Sequence, residues 1–265
     1  MLIKMKLNSA PFEKIKSGAK DIELRLYDEK RRGISLFDVI SFTSDSGEEI
    51  RALVTGLHVA KSFDELYSIF DKVRLGYEPW EPSDPEDMEK YYTKEDIIKY
   101  GVLGIEIAVQ GSINPAILVD AGICPTCFDK EYGGLIYGDN SDKLICKDDL
   151  IECFLVGNPR CPGHAAISSI EHFKDMTEIT DQLCAHAFRV ASELMRRIKA
   201  TYGAESIYLC TMCDGPMNHF HLQLIPRYSE ERRGSSNFLK PRGKYVLDLQ
   251  KLEKLRLSMK KYLNQ

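Results

Sequence analysis

Apolar residues come in short alternating runs over the first 110 positions and in longer periodic runs afterwards. Ile22–Leu26, Val39–Phe42, Arg51–Val59 and Val102–Ala108 read as strands, with one helix around Pro11–Ser17. A Gly, Ser, Asn and Pro cluster at Gln110–Pro115 then interrupts the pattern and marks a linker. Downstream, Gly134–Tyr137, Leu144–Cys146, Ile151–Val156, Ala165–Ser169 and Ser206–Cys210 read as strands. Between the last two, Ile179, Leu183, Ala187, Val190, Leu194 and Ile198 recur at spacings of three and four, which predicts a helix over Thr177–Ala200 with Thr177 as N-cap and Gly203 just past its end. A closing amphipathic helix is expected from Asp248 to Leu263. The pattern predicts an α+β chain in two parts: residues 1–110, a linker at 111–119, a second domain at 120–245 and a terminal helix at 246–265.

The segment His219-Phe220-His221-Leu222-Gln223-Leu224-Ile225, after a turn at Asp214-Gly215-Pro216, alternates polar and apolar residues as a strand does. Both imidazoles then face one side while Phe220, Leu222 and Leu224 face the other. An imidazole titrates near neutrality, so it serves as nucleophile, proton carrier or metal ligand.

Composition narrows the setting. The chain has 265 residues, 43% hydrophobic and 29% charged, which is ordinary for a globular protein. The N-terminus lacks the apolar run of a signal peptide and no stretch has the length of a membrane span, so a cytoplasmic protein without membrane attachment is expected. Residues 1–110 carry 16 basic and 21 acidic side chains, and residues 111–265 carry 20 and 19. Bulk charge therefore gives no support for nonspecific nucleic-acid binding. Two local patterns matter more. Gly18-x-Lys20-x-x-Glu23-x-Arg25 puts a carboxylate and a guanidinium on one strand face beside Lys20, and its spacing alone reads as an ion pair on a solvated face. Arg227–Lys244 holds six basic residues against Glu230 and Glu231, with Ser235, Ser236 and Asn237 as hydrogen-bonding groups, and reads equally as a phosphate-facing loop or a solvated one.

All eight cysteines follow residue 123. Without an export signal, thiols or metal ligands are expected rather than disulfides. Cys124-x-x-Cys127 needs two further ligands to hold a metal, and spacing leaves two quartets open: Cys124, Cys127, His172 and His219, or Cys124, Cys127, Cys210 and Cys213. His186 reads as a helix-surface or packing residue and His164 as part of a structural turn.

Two resemblances organise these patterns. Residues 1–108, through Gly18, Lys20, Glu23 and Arg25, Ile34–Phe42, Ser62–Leu66 and Tyr91 to Ile105, resemble the ASCH domain, a PUA-like β-barrel. That resemblance implies an RNA- or nucleotide-binding module with Lys20, Glu23 and Arg25 at its site. Some members hydrolyse acetylated cytidine through a Lys-x-x-Thr pair; Lys20-x-x-Glu23 lacks the threonine, so that activity is not carried over. Residues 120–230 resemble the histidine triad (HIT) superfamily through Cys124-x-x-Cys127, Asn158–His164, Ile170–Thr177 and His219-x-His221-x-Gln223. This second resemblance implies an antiparallel sheet packed on one long helix. It also implies a nucleotidyl hydrolase or nucleotidyltransferase acting on a nucleotide or dinucleoside polyphosphate, and often a homodimer. His221 would be the nucleophile, with Gln223 beside it and Asn158 and the Gly215 amide on the substrate. Cys124, Cys127, His172 and His219 would close a structural zinc site. Glutamine at the third triad position binds phosphate but cannot protonate a leaving group, which favours transfer. Pro216 lacks an amide hydrogen where relatives place a donor. The alternative is a non-catalytic, zinc-containing RNA- or nucleotide-binding protein.

Overall fold

A computed structural model describes residues 1–234, 236, 238 and 240–263. Ser235 and Asn237, expected to contribute to a polar loop, lie outside the described residues. The chain divides into two compact units, one of Met1–Leu118 with Asp129–Gly138, the other of Val119–Phe128 with Asp139–Gln265.

The first unit is built from β1 (Leu2–Lys6), α1 (Ser9–Lys16), β2 (Ile22–Leu26), β3 (Val39–Thr43), β4 (Glu49–Ala60), the short helices α2 (Phe63–Ile69), α3 (Lys72–Leu75) and α4 (Lys94–Tyr100), and β5 (Val102–Val109). Its five strands run in the order β1-β3-β4-β5-β2, with β1 and β3 parallel. Where a closed barrel was expected, the strands form a curled half-barrel: among the described residues no ladder joins β1 to β2. Across that gap Arg25 donates from Nη2 to the Lys6 carbonyl at 3.0 Å. The expected strand at Gly134–Tyr137 is a turn instead. Gly133, Gly134 and Gly138 take positive φ, which the strand conformation forbids, and the Asp129 carboxylate accepts the Ile136 and Tyr137 amides at 2.6 and 3.0 Å.

Two short helices, α5 (Ala116–Asp120) and α6 (Pro125–Glu131), precede the strands of the second unit. These are β6 (Leu144–Lys147), β7 (Ile151–Leu155), β8 (Ala165–Ser169), β9 (Ser206–Cys210) and β10 (His221–Arg227), with α7 (Asp181–Tyr202) and α8 (Leu249–Leu263). The sheet is antiparallel throughout, in the order β6-β7-β8-β10-β9. One face of the sheet, carrying Ile151, Cys153, Ile167, Leu222 and Leu224, packs with Leu183, Val190, Leu194 and Ile198 of α7 and Leu252, Leu255 and Met259 of α8. Each such aliphatic burial stabilises the fold by roughly 1.5–3 kcal/mol, and together they leave the opposite face free to hold polar chemistry.

Two boundaries differ from the sequence pattern. Helix α7 begins one turn later than expected, with the Thr180 hydroxyl accepting the Leu183 amide at 3.1 Å. Thr177 is held elsewhere, its amide and hydroxyl both donating to the Asp175 carboxylate at 2.8 and 2.6 Å. Strand β10 starts at His221, not at His219, because the Phe220 amide donates to the Phe173 carbonyl at 2.7 Å, outside the β8 ladder.

Candidate functional site

Antiparallel pairing of β8 with β10, in register at Ser168 and His221, brings the residues leaving β8 beside those entering β10. His172 therefore lies near His219, with ring centroids 5.4 Å apart. The Cys-x-x-Cys pair arrives from α6: Pro125 occupies the first helical position, where its missing amide hydrogen costs nothing, and a spacing of three puts Cys124 and Cys127 on one side of the turn. The ligand atoms of Cys124, Cys127, His172 and His219 all lie within 4.8 Å of one another. The alternative with Cys210 and Cys213 is not assembled; Cys210 lies opposite Gln223 in the sheet, and the Cys213 thiol contacts the Thr211 hydroxyl at 3.3 Å.

Thiolates and imidazoles around a tetrahedral zinc, at about 2.3 and 2.0–2.1 Å from the ion, stand roughly 3.3–3.8 Å from each other. The observed separations match: Cys127 Sγ is 3.3 Å from His219 Nδ1 and 3.4 Å from His172 Nδ1, and Cys124 Sγ is 3.7 Å from His219 Nδ1. His219 also carries the outer bond such ligands use, donating from Nε2 to the Ser169 carbonyl at 2.9 Å, which turns Nδ1 toward the sulfurs. The donor set fits zinc, and four protein ligands would leave no open position on it.

His221 is half-buried and its Nδ1 donates to the His219 carbonyl at 2.9 Å. The proton is thereby placed on Nδ1, leaving the Nε2 lone pair bare. Gln223, 6% exposed, donates from its amide nitrogen to that Nε2 at 3.2 Å. One residue that the sequence reading left in a structural turn belongs here. His164 is 1% exposed, and its Nδ1 accepts the Arg160 amide at 3.1 Å, so its proton sits on Nε2. That Nε2 and the Gln223 Oε1 are both buried and neither makes a hydrogen bond, and Gln223 lies close enough to favour the charged imidazole. The chain of polarity runs from Arg160 through His164 and Gln223 to His221 and the His219 carbonyl. The Pro162-Gly163-His164 turn fits only glycine at its centre, since Gly163 has φ +76° and a Cβ there would meet the Tyr202 ring at 3.0 Å. That requirement was the legible signal for His164.

Other expected residues are placed as follows. Asn158 is exposed, and its carbonyl accepts Arg242 Nη1 at 3.2 Å. The Gly215 amide is turned inward to the Asn218 side chain at 3.1 Å. His186 pairs with Asp148 at 2.8 Å on the helix flank.

In the first unit, the Gly18–Arg25 pattern forms no solvated ion pair. Lys20 and Glu23 are 6% and 5% exposed; Glu23 lies 3.5 Å from Lys20 and 2.8 Å from Arg25. Lys20 also donates to the Leu75 carbonyl at 3.0 Å, and burial pulls its ammonium below the ordinary lysine range. The three line a cavity of 320 Å³ with Tyr67, Tyr77 and Tyr92. The Arg25 Nε is buried there without a partner.

Comparison with known proteins places residues 138–230 in the HIT domain family. An uncharacterised HIT-like protein of Borreliella burgdorferi is 25% identical over 121 residues, covering 43% of this chain and 84% of that relative. Among solved structures, a Pyrococcus furiosus protein determined by NMR is 36% identical over 42% of this chain and 99% of its own, with a TM-score of 0.35. A zinc-bound histidine triad family protein from Mycobacterium smegmatis is 16% identical over 53% of this chain and 96% of its own, with a TM-score of 0.42. No helix among the described residues is long and apolar enough to cross a membrane.

Two outcomes follow from this geometry. Purified full-length protein is expected to hold about one zinc per chain, with Cys127→Ser and His172→Ala each losing most of it; elemental analysis showing undiminished zinc in both variants contradicts the quartet. Burial, with Arg242 and Arg160 nearby, depresses the His164 imidazole from 6.5 to about 4. The native state therefore keeps it neutral while the unfolded chain takes up a proton, so its contribution is full above 6.5 and is lost as pH falls toward 4. Urea unfolding should show wild type losing about 2 kcal/mol from this source between about pH 7 and 5. His164→Gln should show a correspondingly shallower pH dependence; an unchanged slope contradicts the assignment.

Proposed function

The chain carries a HIT domain at residues 138–230, and on that footing we propose that it is a nucleotidyl hydrolase or nucleotidyltransferase working through a nucleotidyl-histidine. The observation that carries the reading is the tautomer at His221, with Nδ1–H on the His219 carbonyl and the Nε2 lone pair unprotonated, accepting from the Gln223 amide. Attack by Nε2 on an α-phosphorus forms the N–P bond as the leaving group departs with its bonding pair. The positive charge that develops on the ring is stabilised by the His219 carbonyl already hydrogen-bonded to it. The Gln223 NH₂, which meets Nε2 in the free protein, shifts to a phosphoryl oxygen as the substrate enters. Water or another acceptor then breaks the N–P bond.

Cys124, Cys127, His172 and His219 would hold a structural zinc, which supplies a fixed clamp at the entrance to β10. Their own part in the chemistry is positional: His219, pinned at Nδ1 and Nε2, fixes the carbonyl that orients His221. Asn158 and the segment at Gly215 flank the substrate. The N-terminal unit supplies a second binding function, for RNA or a nucleotide. Its support is the 320 Å³ cavity, lined by Lys20 and Arg25 on either side of the buried Glu23 carboxylate and by tyrosines for a base to stack on.

The test is adduct capture. Full-length protein mixed with dinucleoside polyphosphates and nucleoside phosphoramidates, then quenched, should gain the mass of one nucleotide, and His221→Ala should not. Absence of both adduct and turnover across the panel, with nucleotide binding retained in His221→Ala, would instead support a non-catalytic binding protein.

A further inference from the structure

Three cations at and after the end of β10 are paired with carboxylates. Arg227 pairs with Glu205 at 2.7 Å, Arg233 reaches the same carboxylate at 3.6 Å, and Lys240 pairs with Glu231 at 2.6 Å. Arg160 and Arg242 differ: among the described residues neither has a carboxylate within ion-pair distance, and the Arg160 Nε is buried without an acceptor. Backbone bonds hold the two together. Arg160 Nη1 donates to the Lys240 carbonyl, the Gly243 amide donates to the Pro159 carbonyl at 3.0 Å, and Arg242 Nη1 donates to the Asn158 carbonyl at 3.2 Å. The segment at 240–243 is thereby strapped over the turn at 158–160, and two like charges share one corner. Loss of solvent and the Arg160 charge both lower the affinity of Arg242 for its proton.

That corner lies on the Gln223 side of the nucleophile. The Arg160 amide donates to His164 Nδ1 at 3.1 Å, Ala166 two residues on pairs with Gln223 in the sheet, and Arg242 is bonded to Asn158 of the same turn. Two like charges held at one corner, one of them half-buried, repel each other unless an anion joins them. We propose that Arg160 and Arg242 form an anion site for the phosphate that departs when His221 attacks. The proposal rests on the nucleotidyl-histidine reading given above.

The chemistry agrees with the glutamine. The His221 Nε2 pair forms the N–P bond, the bond from the α-phosphorus to the bridging oxygen breaks, and that bonding pair stays on the oxygen. An amine or alkoxide leaving this way needs a proton, which Gln223 cannot give. A phosphate leaves as a stable oxyanion and needs none. What it needs is positive charge on its oxygens, and guanidinium groups supply this in bidentate form. Gln223 and the arginine pair are therefore two halves of one selection, against leaving groups that require an acid and for those that require a cation.

The experiment is calorimetric titration of full-length, zinc-loaded protein with inorganic pyrophosphate. Wild type should bind it, and Arg160→Gln and Arg242→Gln should each weaken binding by about tenfold or more, the scale of one lost charge-assisted hydrogen bond. Lys244→Gln, an exposed cation on the same strap, should change it by less than about twofold on the same scale. Arg242 is exposed, so its variant remains informative if Arg160→Gln fails to fold. No pyrophosphate binding, or an equal loss in Lys244→Gln and Arg242→Gln, overturns the site. The two readings fail separately. An adduct at His221 with pyrophosphate binding indifferent to both arginines refutes the anion site alone, whereas arginine-dependent pyrophosphate binding without any adduct refutes the catalytic reading alone.

Discussion

The register of β8 against β10, with Ser168 opposite His221, is the constraint on which the rest of the second unit depends. Because the strands are antiparallel, the chain leaving β8 and the chain entering β10 meet at one end of the sheet. That single juxtaposition puts His172 beside His219 and gives the Ser169 carbonyl to the His219 Nε2. It also sets the face that each triad residue uses. A shift of one residue would turn His221 and Gln223 into the apolar layer on α7 and bring Leu222 out, exchanging the chemistry for the core. The buried face, with Leu222 and Leu224 packed among the α7 and α8 side chains, is what fixes that register energetically.

From the register follows a directional row of polar groups. Each member has its donor and acceptor ends assigned by the previous one: the Arg160 amide fixes the His164 tautomer, and the His219 carbonyl fixes that of His221. Gln223 lies between two imidazoles whose facing atoms are opposite in kind, a donor at His164 and a lone pair at His221. A glutamine carries one end of each kind: its NH₂ donates to the His221 Nε2 at 3.2 Å, and its oxygen is buried on the other side without a hydrogen bond. A second imidazole at this position would also bridge them, but would bring a titratable group. The glutamine gives orientation without proton exchange, and the depressed basicity of His164 keeps that ring neutral across the neutral range.

Much of this was legible in the sequence where side-chain periodicity alone decides the outcome. The strands at Ile22–Leu26, Ala165–Ser169 and Ser206–Cys210 match their apolar runs, and the long helix follows its three-and-four spacing except at the capping turn. Misreadings arose where a polar side chain captured the backbone. The Asp175 carboxylate took Thr177 out of the helix start, and the Asp129 carboxylate gathered Ile136 and Tyr137 into a turn that their apolar sequence disguised as a strand. The burial of Lys20, Glu23 and Arg25 was hidden for a related reason: spacing shows that charges share a face but not whether α3 and the chain around Tyr77 and Tyr92 cover it. The Cys124, Cys127, His172 and His219 grouping was one of two quartets open to spacing; sheet order separates them. The arginine pair was invisible because its meaning comes from neighbours far apart in sequence.

The account turns on which ring nitrogen of His221 carries the proton. Long-range ¹H–¹⁵N correlation of the imidazoles in the zinc-loaded, full-length protein near neutral pH reads this directly. The account predicts that the neutral form of the His221 ring carries its proton on Nδ1, with the Nε2 lone pair unprotonated. A His221 ring carrying its proton on Nε2 would leave no lone pair facing the substrate and would contradict it.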